Sequence, residues 1–167
     1  ALLGALERLS IPQKILNIIR EVYKNPQFQV NIGNESSEHK RQNAGIRQGC
    51  PLSPYLFILV MNVLFHDVHK IYGPHDNFSE PHILQEFGYQ EILYADDTLL
   101  LGASKTQIEK ILHAVEQESK IYNLRLNMTK CESMFFGPAE EQKDIKYTNG
   151  DTMPRTDQVR YLGGLIR

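Results

Sequence analysis

Apolar positions recur along this chain with two periods. Ile15, Ile18, Ile19 and Val22 fall at helical spacing behind Ser10-Ile11-Pro12, which predicts a helix with Ser10 as its cap and Pro12 near its first turn. Gln27–Ile32 alternates as a strand does, Gly33-Asn34 turns the chain, and a second strand is expected to run through Gln42. Ser53-Pro54 opens another helix, in which nearly every residue from Tyr55 to Phe65 is apolar, with Asn62 the exception. A membrane span needs ~20 such residues, so this run predicts a helix buried on all sides in a domain core. The segment from Tyr72 to Pro81 is rich in Gly, Pro, His, Asp and Asn and reads as an exposed loop.

The second half repeats the mixture. Ile92-Leu93-Tyr94 and Thr98–Leu101 are short apolar runs on either side of Ala95-Asp96-Asp97, a strand, a turn and a strand with acids at the tip. Ser104 and Gln107 have the spacing of a capping box, and Ile108, Ile111, Leu112 and Val115 form the buried stripe of the helix behind them. Cys131–Phe136 reads as a strand, Asn149-Gly150 as a hairpin turn, and Val159–Ile166 as a closing strand. Helices mixed with hairpins predict an α+β fold, an antiparallel sheet with helices packed on one face. No internal repeat, low-complexity tract or linker interrupts it.

Composition narrows the picture. The 167 residues suffice for one domain, and 41% hydrophobic with 23% charged residues is ordinary for a globular protein. The net charge of -2 argues against a stand-alone nucleic-acid-binding module, because phosphate contacts call for a basic surplus. Cys50 and Cys131 are too few for a disulfide framework and lack a zinc spacing; reduced core thiols are the expectation. No secretory leader is present, so an intracellular protein of the nucleus or cytoplasm is expected, and the absence of an initiating Met suggests a piece of a longer chain.

The candidate chemistry centres on Asp96 and Asp97. Adjacent carboxylates repel one another, and a divalent cation relieves this; Mg²⁺ takes a few carboxylate oxygens and completes its shell with phosphates and water. Taken alone, an Asp-Asp pair equally suits a surface turn. Apolar strands on both sides and the small Ala95, which leaves room for a ligand, make this context more specific. His66 and His69, with His75 and His82 beyond them, have no Cys or acidic partner at a zinc spacing.

Four segments then resemble one family in the right order. Tyr94-Ala95-Asp96-Asp97 is similar to the metal-binding hairpin of reverse transcriptases, and Gly45–Pro54 (GIRQGCPLSP) resembles the preceding motif in its non-LTR retrotransposon form. Leu124-Arg125-Leu126-Asn127 with Lys130 resembles the next motif, and Tyr161-Leu162-Gly163 the element near the primer grip. The resemblance implies a polymerase palm, incomplete, over residues 1–167, and RNA-directed DNA synthesis by a two-metal mechanism. Asp96 would bind the catalytic metals, two Mg²⁺ ions, with Asp97 in support. Lys130 would donate a proton to the leaving pyrophosphate or stabilise its charge. Gly45, Arg47, Gln48, Gly49, Ser53, Tyr94 and Ala95 would lie along the template and nucleotide, and Tyr161, Leu162 and Gly163 on the primer side. The implied partners are an RNA template, a DNA primer, deoxynucleoside triphosphates and the upstream and downstream segments of the same polyprotein, with no membrane. By the same resemblance another metal-binding Asp would precede Ala1, as would the basic fingers, and the thumb would follow Arg167. The chain by itself is therefore expected not to polymerise. A non-catalytic remnant or binding module that keeps the palm fold is the alternative.

Overall fold

A computed structural model describes residues 1–42, 49–72, 91–137 and 143–167. They fall into two compact units, Ala1–Val63 and Leu64–Arg167. Within the described residues the elements are mixed α and β, as expected.

In the first unit, α1 (Leu2–Arg8) leads into α2 (Gln13–Lys24). The chain reverses between them through Ser10, whose φ of 57° lies in the left-handed region. Ser10 is therefore not the cap of α2. Pro12 takes that place, where its missing N–H costs nothing and its fixed φ suits a helix start. The buried face of α2 also differs from expectation. Leu16 and Ile19 pack with Leu6 and Leu56, while Ile15, Ile18 and Val22 are exposed. Helix α2 carries two apolar stripes offset by one residue, and the stripe through Leu16, Ile19 and Tyr23 is the one its neighbours cover.

The chain then forms a hairpin of two ladders. Strand β2 (Asn31–Ile32) pairs with β3 (Glu35–Ser36) across a Gly33-Asn34 turn, with Gly33 at φ 58°. Strand β1 (Gln27–Phe28) pairs with β4 (Lys40–Arg41). Two residues separate the ladders on the outgoing side, Gln29 and Val30, and three on the return, 37–39, so the hairpin holds a one-residue bulge. Ser37 secures it: its N–H donates to the Val30 carbonyl at 2.9 Å, and its Oγ accepts from Val30 N–H at 3.0 Å.

Helix α3 (Leu52–Tyr72) follows, and the division between the units falls within it. It is not buried on all sides: Leu52, Tyr55 and Ile58 are exposed, whereas Ser53, Leu56, Val60 and Val63 are buried. From Leu52 to Ile71 it is long and apolar enough to cross a membrane by length and composition alone, a test that buried core helices also pass.

In the second unit, β5 (Glu91–Tyr94) and β6 (Asp97–Leu100) form the expected hairpin. Helix α4 (Lys105–Ile121) begins at Ser104, whose Oγ accepts from Gln107 N–H at 3.2 Å. Gln107 reaches back one residue further than a capping box requires, its Oε1 accepting from Ala103 N–H at 2.8 Å. Ile111, Leu112 and Val115 are buried, and Ile108 packs at the edge of the core. That core joins Leu112 to Ile145, Tyr147 and Met153, with Leu100, Leu126, Met128, Cys131 and Phe135 around them.

The Asn149-Gly150 signal yields a three-residue loop rather than a two-residue one. Gly150 N–H donates to the Tyr147 carbonyl at 3.0 Å, Tyr147 N–H donates to the Asp151 carbonyl at 2.9 Å, and Gly150 sits at φ 89°. Asn149 Oδ1 accepts from Asp151 N–H at 2.9 Å, which holds the turn from within. Cys131–Phe136 is not a ladder strand; it makes a single parallel bridge, Ser133 to Arg155. Val159–Ile166 is not one strand but a hairpin, β7 (Val159–Tyr161) and β8 (Gly164–Ile166).

The expected single sheet is likewise replaced, among the described residues, by four separate two-stranded antiparallel ladders. One backbone edge outside these ladders is met by side chains of α4 instead of by a strand. Glu109 Oε1 accepts from Lys146 N–H at 2.8 Å, His113 Nε2 donates to the Lys146 carbonyl at 2.8 Å, and Glu116 Oε2 accepts from Thr148 N–H at 2.9 Å. Helix side chains satisfy a strand edge that another strand would otherwise cover.

Burial raises the Tyr147 hydroxyl above its usual value of 10.0, helped by Cys131, Glu116 and Asp151. The folded state thus holds this proton more tightly than the unfolded chain does. Its contribution to stability is whole below pH 10 and is lost as pH climbs toward the folded-state value. Tyr147→Phe should lose little at neutral pH and should flatten the decline in urea midpoint above about pH 10; an unchanged alkaline decline would assign it to other groups.

Candidate active site

The β5–β6 register decides where the acids point. Tyr94 pairs with Asp97 and Ile92 with Leu99, so these four side chains share one face; Glu91, Leu93, Thr98 and Leu100 share the other. Leu100 packs at the edge of the core, which turns the Asp97 face outward. The two-residue turn is Ala95-Asp96, with Ala95 at φ 53°. That conformation costs a residue with Cβ roughly 1–2 kcal/mol, least for a small one. Asp96 and Asp97 are exposed, and among the described residues neither carboxylate has an ion-pair partner. Tyr94 is 62% exposed and Ile92 43% exposed, so an aromatic and apolar surface lies beside the acids.

Two other elements hold this hairpin. At its base, His69 Nε2 lies 2.8 Å from Glu91 Oε1, tying β5 to α3. His69 is thereby committed to Glu91, and no group of three or more metal-ligating side chains occurs among the described residues. His75 and His82 lie outside them. On its flank, the Tyr161 hydroxyl donates to the Ile92 carbonyl at 3.4 Å. Partial burial and then the charge of Asp97 raise the Tyr161 hydroxyl above its usual value. The structure thus sets Tyr161 against the hairpin that carries Asp97. The Leu162-Gly163 turn that follows has φ of 50° and 83°, both left-handed.

Lys130 ends a 3₁₀ turn, Met128–Lys130, whose last N–H donates to the Asn127 carbonyl at 2.9 Å. The Cys131 thiol donates to the same carbonyl at 3.3 Å. Met128 and Cys131 on either side pack against the core that Leu100 also reaches, while Lys130 itself is exposed. No ion pair joins Lys130 to Asp96 or Asp97 among the described residues. In the first unit, Gly49 has φ 80°, a conformation that favours glycine. Ser53 is fully buried, with its Oγ 3.1 Å from the Tyr23 hydroxyl, and so anchors α3 rather than facing solvent. Gly45, Arg47 and Gln48 lie outside the described residues.

The reverse transcriptase (RNA-dependent DNA polymerase) family matches residues 1–166 of the chain. The chain belongs to the reverse transcriptase family. It is 26% identical over 173 residues to the Retrovirus-related Pol polyprotein from type-1 retrotransposable element R2 of Nasonia vitripennis, covering 98% of this chain and 16% of that relative. It is 27% identical over 168 residues to the RNA-directed DNA polymerase from mobile element jockey of Drosophila melanogaster, covering 97% of this chain and 17% of that protein. The chain thus spans about a sixth of the length of these curated relatives.

Within this reverse transcriptase segment, the link from Tyr161 to Ile92 is the feature sequence reasoning did not find. The two residues are 69 positions apart, and no local spacing reports such a contact. The turn geometry gives a direct test. Ala95→Gly should be tolerated in thermal unfolding, whereas Ala95→Val, β-branched at a left-handed position, should cost at least about 1 kcal/mol; equal melting of the two variants would show that the turn does not need this conformation.

Proposed function

We propose that this chain is the palm region of a non-LTR retrotransposon-type reverse transcriptase and carries its metal-binding acids for RNA-directed DNA synthesis. The observation that carries the reading is the exposed Asp96-Asp97 pair at a hairpin tip, with no ion-pair partner among the described residues, inside a family match that covers the chain. Hard carboxylate oxygens open to solvent fit Mg²⁺, which favours such donors together with phosphate and water. Asp96 and Asp97 would hold that metal, which in a two-metal site supplies charge stabilisation to the entering and leaving oxygens of nucleotidyl transfer.

The chain's own residues then have distinct tasks. Asp96, on the strained turn, presents its carboxylate at the tip; Asp97, fixed by pairing with Tyr94, sets the second carboxylate on the outward face. Lys130 donates a proton to the departing pyrophosphate, or its charge, from a turn held by Asn127. Gln48, with Gly45, Arg47 and Gly49, approaches the template base and nucleotide. The buried Ser53 hydroxyl, 3.1 Å from that of Tyr23, holds the start of α3. Tyr161, Leu162 and Gly163 lie on the primer side. The partners are an RNA template, a DNA primer, deoxynucleoside triphosphates and other segments of a polyprotein, in the nucleus or cytoplasm.

A second reading is a non-catalytic module that retains the fold. Primer extension separates the two. In the natural protein containing these residues, with Mg²⁺ as the metal, Asp96→Asn should reduce extension of a primed RNA template on the order of 10²–10³-fold or more. Lys130→Arg should be partly defective in single-turnover rate, because a guanidinium does not release a proton. Near-normal extension by Asp96→Asn would end the catalytic reading.

A further inference from the structure

The acid hairpin is gripped at the base of its ladder. Glu91 pairs with Leu100 there, and the two side chains share the inward face. Leu100, on β6, packs at the edge of the core that Leu112 of α4 joins. Glu91, on β5, meets α3 instead: His69 Nε2 lies 2.8 Å from its Oε1, and the Glu91 side chain is only 16% exposed. An ionised carboxylate only accepts, so the imidazole N–H donates. His69 is itself held in place. Two residues before it, Asp67 Oδ2 accepts from the Tyr122 hydroxyl at 2.7 Å, and Val68 between them is fully buried. Tyr122 is the C-cap residue of α4. The contacts therefore close a ring. It runs from α4 through Asp67 to α3, through His69 to β5, across the ladder to Leu100, and back through the core to α4.

We propose that His69 and Glu91 are positioning residues that set the tilt of the acid hairpin, and with it where Asp96 and Asp97 stand for nucleotidyl transfer. The proposal rests on the polymerase reading and adds to it the residues that aim its acids. A two-stranded ladder alone is only marginally stable, so its orientation comes from what grips it. The apolar contact of Leu100 is non-directional and by itself lets the ladder pivot. The bond from His69 has direction, and it acts at the opposite end of the ladder from the Tyr94–Asp97 pair. Strand rises by ~3.3 Å per residue, so base and tip stand about 10 Å apart. On that lever a tilt of roughly 6° carries the carboxylates about 1 Å. A misplacement of that size costs on the order of 10²-fold in rate. Both residues act through the strand rather than on the substrate.

The test compares wild type, His69→Ala, Glu91→Leu, the double variant, His69→Gln and Asp96→Asn in the natural protein containing these residues. Thermal melting, primer–template binding, and the maximal rate and nucleotide affinity of single-turnover extension on a primed RNA template are measured, with rates taken per primer-bound enzyme. His69→Ala and Glu91→Leu should each slow extension by roughly 10–100-fold, with primer–template binding and nucleotide affinity unchanged. The double variant should be no slower than the slower single variant, since both changes remove one contact. His69→Gln, which returns an N–H donor at a similar reach, should recover most of the rate. A merely structural pair would lower the melting temperature and leave the rate of bound enzyme unchanged. A wild-type rate for Glu91→Leu overturns the proposal, whether or not His69→Ala folds. Additive slowing in the double variant overturns it too, as does a His69→Gln no faster than His69→Ala. The polymerase reading survives each of these results so long as Asp96→Asn suppresses extension. If Asp96→Asn extends primers as wild type does, that reading falls and the proposal with it.

Discussion

The second unit depends on a helix that does the work of a strand. Glu109, His113 and Glu116 recur at four and three residues, one face of α4, and meet backbone groups of Lys146 and Thr148. Helix side chains, rather than a neighbouring strand, bond this edge. The segment so held places Ile145, Tyr147 and Met153 on Leu112. Leu100, at the end of β6, and Met128 and Cys131, around Lys130, lean on that same core. Elements far apart in sequence thus share one support, and the acid hairpin is as rigid as this packing allows.

The second unit also holds two hairpins with two-residue turns, β5–β6 and β7–β8. Each places a non-glycine residue, Ala95 or Leu162, at positive φ. Such conformations persist where surrounding structure over-determines them, and they concentrate at functional sites. Here the surroundings are the ladders themselves, four residue pairs in β5–β6 and three in β7–β8. The Tyr161 hydroxyl crosses between them.

Strong local signals were legible in the sequence. The β5–β6 hairpin follows from two apolar runs around a polar turn, and the start of α4 from Ser104 and Gln107. The site motifs were legible as a resemblance, while their geometry was not. Whether Ile15 or Leu16 faces inward on α2 depends on which stripe α1 and α3 cover, and periodicity cannot rank two stripes of equal merit. Val159–Ile166 reads as one strand because Leu162 is an unlikely turn residue; only Gly163 and Gly164 hint at the reversal. The strand expected at Cys131–Phe136 fails because its neighbour across Ser133 offers a single bridge, and its apolar residues serve the core instead.

The bulge in the first hairpin acts on charge as well as shape. Phe28 faces Lys40 and Ile32 faces Glu35. Positions 35 and 40 differ in parity, so a regular ladder would send their side chains to opposite faces. The extra residue at 37–39 lets both flank the exposed apolar row of Phe28, Val30 and Ile32. A single added residue thus decides which charged side chains border an exposed apolar ribbon, so that one end carries a cation and the other a carboxylate.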